Sequence, residues 1–272
     1  MVIALLVLLG LCFGSFVNAL VWRIHEQAKK KSKFSSKELS ISKGRSMCTH
    51  CGHALAAQDL IPVLSWVSLR GKCRYCRKAI PDTPFSELLT PVLFVLSFVY
   101  WPHGFDGLGI FMFVAWLVLL VGFVALFIYD LRWQLLPNRI VFVLMAVALI
   151  QVIVEIAAGG GVDCLVGALW GVVFGAGIFW VLFQVSGGRL IGGGDVKLGV
   201  VYGLLLGGPI NSLLCIFLAS IIGTFVALPL VAAGRAEKTT KIPFGPYLIT
   251  AVVVVYLFGA DIVSWYRAVA GI

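Results

Sequence analysis

The chain has 272 residues, of which 61% are hydrophobic and only 12% charged, and its formal net charge is +9. This composition excludes an ordinary soluble globular domain and predicts an all-α, polytopic membrane protein. A positive charge of this size suggests nucleic-acid binding only where basic residues cover a soluble face. Here 13 of the 21 Lys and Arg residues lie between Arg23 and Lys78. We therefore predict no nucleic-acid partner and a cytoplasmic segment, because positive charge collects on the cytoplasmic side of membranes.

The apolar run at the N-terminus, from Met1 to Trp22, predicts the first transmembrane helix. A secretory signal peptide would carry basic residues before its apolar run and a small-residue cleavage site after it. This run begins without a charge, and Arg23 follows it. We expect a retained anchor whose N-terminus lies outside.

Seven further apolar runs raise the prediction to about eight transmembrane helices, since a crossing needs about 20 apolar residues. The predicted spans are residues 1–22, 85–101, 109–129, 138–158, 164–186, 196–208, 212–232 and 246–260. The sixth run is short and rich in glycine, which leaves a full crossing, a half-helix and a re-entrant element all open. In this arrangement Arg235, Lys238 and Lys241 form the last inner loop, and only Arg267 among the basic residues lies outside.

Two Cys-x-x-Cys pairs with 21 residues between them lie in the basic segment: Cys48, Cys51, Cys73 and Cys76. Four thiolates on two such turns match the tetrahedral coordination of structural zinc, although the separation slightly exceeds the usual ~15–20 residues. Disulfides are the alternative, which a reducing cytosol disfavours. Two nearby histidines are alternative ligands: His50 and His53. The other cysteines lie in apolar runs and are predicted to be small core residues: Cys12, Cys164 and Cys215.

Two aspartates lie at the edges of apolar runs, Asp130 after one span and Asp195 at the start of another. Ionisable groups at such depths are costly, so they are functional-site hypotheses by default. Two carboxylates close together share a proton, and one can then act as a base while the other acts as an acid. Structural alternatives remain for each: Asp195 as a helix N-cap, and Asp130 as a solvated interface residue.

The residues around Asp195 predict a substrate-binding role. Gly192, Gly193 and Gly194 have no side chains, which allows an extended peptide backbone to approach closely. Lys197 either holds Asp195 in its ionised form or faces the lipid headgroups.

Gly192-Gly193-Gly194-Asp195 resembles the GxGD signature of intramembrane-type aspartyl proteases, and the rest of the chain resembles the prepilin peptidase (type IV leader peptidase) family. The motifs that carry the resemblance occur in the family's order at residues 14–18 with Arg23, 48–87, 130–138, 192–198 and 243–246. They cover nearly the whole chain. Two positions differ from the common pattern, where the family often has an acidic residue at Arg132 and aspartate at Asn138.

The resemblance implies that Asp130 and Asp195 are the catalytic pair of a peptidase. The family removes the short basic leader from prepilins and pseudopilins at the cytoplasmic face of the inner membrane. Many members also methylate the new N-terminal amine with S-adenosylmethionine, although this chain has no glycine-rich nucleotide loop after a strand. Where members have the cysteines, these bind zinc. Glu87 then either caps the second span or belongs to a methyl-transfer or substrate site.

The sequence therefore predicts a membrane aspartyl endopeptidase with four parts. These are a first transmembrane helix (1–22), a cytoplasmic zinc-knuckle domain (23–84), a transmembrane peptidase core (85–260) and a C-terminal tail (261–272). Its expected partners are prepilin or pseudopilin precursors and membrane lipid. One rival is an ion-coupled transporter with the aspartates as cation sites, which the absence of a visible repeat disfavours. The other is a membrane-anchored zinc-knuckle binding module, which leaves the aspartates unexplained.

Overall fold

The computed structural model of the chain describes residues 1–234 and 243–271. Arg235, Lys238 and Lys241, the predicted last inner loop, lie outside the described residues. Within the described ranges the protein is helical, and β pairing is limited to two isolated bridges, Met47 with Ala54 and Lys72 with Ala79. The predicted all-α fold class is confirmed.

The described α-helices are α1 (Val2–Ala28), α2 (Leu64–Ser68), α3 (Phe85–Val99), α4 (Gly107–Trp133), α5 (Asn138–Glu155), α6 (Gly161–Ser186), α7 (Gly193–Leu206), α8 (Pro209–Ala232) and α9 (Gly245–Ala270). Every one of the eight predicted spans coincides with a helix. Five helical stretches are long and apolar enough to cross a membrane: α1, α4, α8, α9 and the 49-residue stretch of α5 and α6. The chain is therefore a multi-pass membrane protein.

The α5–α6 stretch is two helices because its backbone breaks at a glycine. One π-helical turn, Ile156–Gly160, joins them, and Gly159 within it has a φ of 109°. Side chains rarely adopt this conformation, so glycine is required there. The break at Gly159 lies at the start of the predicted gap between the spans 138–158 and 164–186.

Several helices extend beyond the predicted apolar spans. The first helix continues to Ala28, past the end of the apolar run at Trp22. The last helix continues to Ala270, through the segment predicted as a C-terminal tail. Hydropathy identifies the part of a helix that fits the lipid and cannot locate the end of a helix that runs on into water. The four-part domain division stays a prediction.

The first of two compact units comprises residues 1–99 and 120–128. In it α1 and α3 approach backbone to backbone, because a Cβ at Gly10 would overlap Pro91 and one at Gly14 would come 2.6 Å from the Cα of Glu87. The absence of a side chain at Gly14 thus allows α1 and α3 to pack closely. The Glu87 carboxylate accepts a hydrogen bond of 2.6 Å from the backbone N–H of Val63, so it holds the segment that precedes α2.

Arg23 anchors the cysteine-bearing segment to α1. Its side chain is 6% exposed and donates to four backbone carbonyls, those of Ser40, Ile41, Gly44 and Arg45, at 3.0 to 3.3 Å. A guanidinium offers five donors in a rigid fork, so it can hold several carbonyls at once. In the sequence Arg23 is a positive charge after an apolar run and part of a family motif, and neither pattern indicates its burial.

The second unit comprises residues 100–119 and 129–272, of which the structure describes all but 235–242 and 272. In this unit α6 and α7 run antiparallel, and their backbones pack closely against each other. A Cβ at Gly203 would lie 2.6 Å from the carbonyl oxygen of Gly171, and one at Gly199 would lie 2.9 Å from that of Gly175. Small residues four apart let two helix backbones approach closely. The 14 residues of α7 extend about 21 Å, less than the ~30 Å of a bilayer core.

Candidate active site

Asp130 lies in the last turn of α4 and is 6% exposed. The helix ends directly after it, because Gln134 adopts a left-handed conformation with φ 53° and its N–H donates to the Asp130 carbonyl at 2.8 Å. The Asp130 carboxylate accepts a hydrogen bond from the backbone N–H of Gly245, the first residue of α9. A buried carboxylate is thus oriented by the start of a distant helix.

Gly245 has no room for a side chain. A Cβ there would lie 2.5 Å from the Oδ2 atom of Asp130. Residues 243–246 carry one of the motifs of the family resemblance, and α9 begins within them, with Pro246 in its first turn. Nothing in the spacing of the two motifs along the chain indicates the contact of Gly245 with Asp130.

Asp195 is the third residue of α7, which begins at Gly193 after the cap residue Gly192. Its carboxylate accepts a hydrogen bond from the backbone N–H of Gly192, and its own N–H donates to the Gly192 carbonyl at 3.1 Å. The alternative that Asp195 is the N-cap is therefore wrong, because the N-cap is Gly192, three residues earlier. A carboxylate at this position satisfies an N–H that the helix itself leaves unpaired.

The two aspartates lie within electrostatic range of each other. They come from the end of α4 and the start of α7, and each has one backbone N–H donor. Two interacting carboxylates titrate as a pair and share a proton between them. The arrangement can therefore supply one basic and one acidic oxygen to a bond held between them.

The three glycines before Asp195 differ in their surroundings. A Cβ at Gly192 would have only the Asp195 carboxylate and the backbone nitrogen of Gly194 within 4 Å. A Cβ at Gly193 would come no closer than 3.8 Å to the Phe183 ring. A Cβ at Gly194 would lie 3.0 Å from the Leu136 side chain. Gly194 thus packs against the loop that follows Asp130. A substrate-binding role for the three glycines stays a prediction.

Lys197 contacts the start of α5. Its Nζ atom donates to Asn138 Oδ1 at 2.7 Å and lies 6.0 Å from the centre of the Phe142 ring. This hydrogen bond joins α7 to α5. Lys197 follows Asp195 by two residues, and Asn138 follows Asp130 by eight. The predicted substrate contact of Lys197 is untested.

The four cysteines form a second candidate site, in the first unit. Their sulfur atoms all lie within 4.8 Å of one another, and those of Cys48 and Cys76 are 3.9 Å apart. Zinc–sulfur bonds of about 2.3 Å in a tetrahedron separate the sulfurs by about 3.8 Å. All four thiols are free, so the geometry fits a metal and not a pair of disulfides.

The two Cys-x-x-Cys turns have the same backbone structure. In each, the N–H of the first cysteine donates to the carbonyl five residues on, at 2.9 Å, and that cysteine's carbonyl accepts from the N–H four residues on. The residue directly after the second cysteine has positive φ in both turns, Gly52 in one and Arg77 in the other. Burial raises the pKa of the Cys73 thiol, but N–H donors from Cys76 and Tyr75 and the adjacent thiols lower it to about 7 overall.

The histidines are not part of the cysteine group. His50 Nε2 lies 3.1 Å from the Ala79 carbonyl oxygen, and the His53 ring lies 3.7 Å from the Tyr75 ring, centre to centre. Among residues 1–234 and 243–271, the group that can hold a metal consists of cysteines alone. Of the remaining cysteines, Cys215 is buried as predicted, whereas Cys12 is exposed on the apolar surface of α1.

The fold and the two sites define a multi-pass helical membrane protein with a pair of aspartates and a four-cysteine centre. The profile of the type IV leader peptidase family matches residues 117–228, and that of the bacterial peptidase A24 N-terminal domain matches residues 8–101. The chain belongs to the type IV leader peptidase family. It is therefore a peptidase, as the sequence predicted, and the transporter and binding-module alternatives are not supported.

The chain is similar along almost its whole length to proteins named prepilin leader peptidase/N-methyltransferase. It is 32% identical to that of Stutzerimonas stutzeri over 95% of this chain and 91% of the relative. It is 32% identical to that of Pseudomonas aeruginosa over 97% and 93%, and 30% identical to that of Bacillus subtilis over 98% and 99%. No solved structure matches the chain.

Proposed function

We propose that this protein removes the leader peptide from prepilin or pseudopilin precursors at the cytoplasmic face of the inner membrane, with Asp130 and Asp195 as its catalytic pair. The observation that carries the proposal is that these two aspartates come from separate helices and lie within electrostatic range of each other. The names of the relatives support the substrate class.

The two carboxyl groups divide the work of peptide hydrolysis. The ionised group takes a proton from a water molecule as that water attacks the scissile carbonyl carbon. The protonated group gives its proton to the carbonyl oxygen, which forms a tetrahedral diol. The first group then gives the proton taken from water to the leaving nitrogen, and the second group takes one hydroxyl proton back as the C–N bond breaks, so that the pair again holds one proton. The backbone donors of Gly245 and Gly192 fix the direction of the two carboxylates, which matters because small displacements of reacting groups are costly.

Cleavage of a purified pilin precursor by single variants tests this assignment. Asp130→Asn and Asp195→Asn each abolish leader removal, because asparagine has the same volume but cannot exchange the proton. The double variant is no worse than either single one, since residues that act as a unit do not lose activity additively. Asp163→Asn is the matched control, because Asp163 is exposed in the first turn of α6. Near-normal cleavage by either active-site variant contradicts the two-aspartate mechanism.

We further propose that the protein methylates the new N-terminal amine of the mature pilin with S-adenosylmethionine as methyl donor. The relatives' names support this second activity. Incubation with precursor and S-adenosylmethionine labelled in the methyl group decides it. Label on the mature N-terminus is the expected result, and cleavage without label leaves a peptidase alone.

We propose that the cysteine centre holds structural zinc. The fit rests on four soft thiolate donors at tetrahedral spacing. Zinc would join the two matched turns and so fix the segment that Arg23 attaches to α1.

The proposed orientation has the N-terminus outside and the cysteine-bearing segment in the cytoplasm. The concentration of 13 basic residues between Arg23 and Lys78 supports it. In this orientation Lys29, Lys30 and Lys31 lie beside the inner leaflet, where each charge favours anionic lipid by about 1 kcal/mol.

A further inference from the structure

A polar cavity lies at the other end of the second unit from the aspartates. Its volume is ≈ 530 Å³, and it is formed by the start of α4, the end of α5, the start of α6, the end of α7, the first turn of α8 and the middle of α9. Asp130 is near the end of α4 and the cavity contacts Gly109, about 30 Å away along the helix. The cavity takes no part in the proposed cleavage chemistry.

The floor of the cavity carries a buried amide without a full set of partners. Gln151 lines the cavity and is 5% exposed. Its Nε2 atom donates to the Met112 carbonyl at 3.4 Å, but its Oε1 atom has no hydrogen-bond partner. A buried acceptor that stays unpaired is destabilising, so such atoms usually receive a donor from water or a ligand. A ligand with a hydrogen-bond donor at this position would therefore satisfy Gln151 Oε1.

One wall of the cavity is aromatic. The Tyr256 ring stacks on Trp116 with a centroid separation of 4.0 Å and an interplanar angle of 11°. His103 lies 6.3 Å from Tyr256 and 5.2 Å from Trp101, centre to centre. Faces of aromatic rings attract cations, and recognition of organic ammonium groups is a recurrent use of such walls.

The rim of the cavity is acidic. Asp106 and Glu155 both line it and are exposed, and the lining residues include no lysine or arginine. The two carboxylates therefore favour a cation by charge. The described residues gather three or more metal-ligating side chains only at the four cysteines, so the cavity's acidic groups are not arranged around a metal ion.

We propose that this cavity binds an organic ammonium group, with an N–H donated to Gln151 Oε1 and the charge balanced by Asp106 and Glu155. The volume lies within the range of small-molecule sites, ~300–1,000 Å³. The same ammonium chemistry is offered by the headgroup of phosphatidylethanolamine and by a free amine. In the proposed orientation the site faces away from the cytoplasm.

Thermal unfolding of the full chain in nanodiscs of phosphatidylglycerol alone tests the proposal, with ethanolamine as the probe. A saturable rise in the unfolding midpoint is expected with ethanolamine and none with ethylene glycol, a neutral molecule of similar shape. Glu155→Gln and Gln151→Met abolish the rise, whereas Asp163→Asn retains it, since Asp163 is exposed in the same region but does not line the cavity.

A second experiment, in nanodiscs that also contain phosphatidylethanolamine, distinguishes the lipid headgroup from a free amine as the ligand. If the lipid headgroup occupies the cavity, the response to added ethanolamine shrinks, and native mass spectrometry finds this lipid retained by the wild type but not by Glu155→Gln. An unchanged response identifies a site for free amines. No saturable rise in phosphatidylglycerol, or an equal rise in Glu155→Gln, overturns the proposal and leaves a cavity filled by water. Because Glu155 is exposed, its substitution preserves folding and keeps the test decisive.

Discussion

The Asp130 carboxylate depends on one neighbouring backbone group. The N–H of Gly245 donates to it, and the missing side chain of that glycine leaves the space in which Oδ2 lies. A carboxylate held in this way is oriented by a backbone group at the start of α9. In the proposed mechanism Gly245 is therefore a positioning residue, which does not itself react.

A single methyl group at this position is expected to displace the carboxylate. In Gly245→Ala the Cβ would lie 2.5 Å from Oδ2, so one of the two must shift, and a shift of about 1 Å can cost on the order of 100-fold in rate. We expect kcat for precursor cleavage to fall by ~10–100-fold, with KM little changed. Gly107→Ala is the control, because Gly107 also begins a helix and its Cβ would meet no atom within 4 Å. Full activity in Gly245→Ala contradicts this role.

At the scale of the helices, the α6–α7 pair is organised by glycines spaced four residues apart. Gly171 faces Gly203 and Gly175 faces Gly199, and the Tyr202 hydroxyl donates to the Gly175 carbonyl at 2.9 Å. The close approach explains how a helix as short as α7 is held. Lipid provides no hydrophobic drive for helix association, so backbone packing and such hydrogen bonds must supply it.

Filling this interface is expected to destabilise the pair. In Gly203→Ala the added Cβ would lie 2.6 Å from the Gly171 carbonyl oxygen, and overpacking of this kind costs about 1–3 kcal/mol. The free energy of unfolding, measured by denaturant titration in detergent, checks the value. Gly177→Ala on α6 has open space around it and should be neutral or slightly stabilising, because alanine favours helix. Equal stabilities for the two variants would falsify the packing argument.

Hydropathy predicted the eight helices because each needs a long apolar run, and the cysteine spacing predicted the metal-ligating group. The close contacts could not be predicted in the same way. Gly245 and Asp130 are far apart along the chain, and no local pattern joins them. Arg23 follows an apolar run as an ordinary flanking charge does, and its burial depends on where residues 40–45 fold. Spacing along a sequence constrains local structure, whereas such contacts follow from tertiary packing.

At the scale of the whole molecule, the membrane core carries the candidate dyad and a separate segment carries the cysteines. The two matched turns in that segment have little apolar core, and its buried residues are few: Leu39, Cys48 and Cys73. A segment of this kind needs a crosslink to hold its structure. Zinc would provide it.

Metal removal is therefore expected to loosen the cysteine-bearing segment more than it impairs cleavage. Purified protein should contain about one zinc per chain, measured by elemental mass spectrometry, and Cys48→Ser or Cys76→Ser should lose it. Limited proteolysis should then cut between residues 29 and 84 much faster. Cys12→Ser is the control, since Cys12 lies on α1 outside the group. Metal-free protein with intact cysteines and unchanged protease resistance contradicts the prediction.

The packing register of α6 against α7 also determines how far Asp195 lies from the end of α6. With Gly203 opposite Gly171 and Gly199 opposite Gly175, the same register aligns Asp195 with Phe179, and α6 continues to Ser186. Seven further residues of helix extend about 10 Å, so Asp195 is recessed by that distance from the end of its partner helix. In the proposed mechanism the scissile bond of the substrate must therefore reach about 10 Å below the end of α6 to meet the Asp195 carboxylate. We expect the length of substrate chain that spans this depth to select the cleavage point.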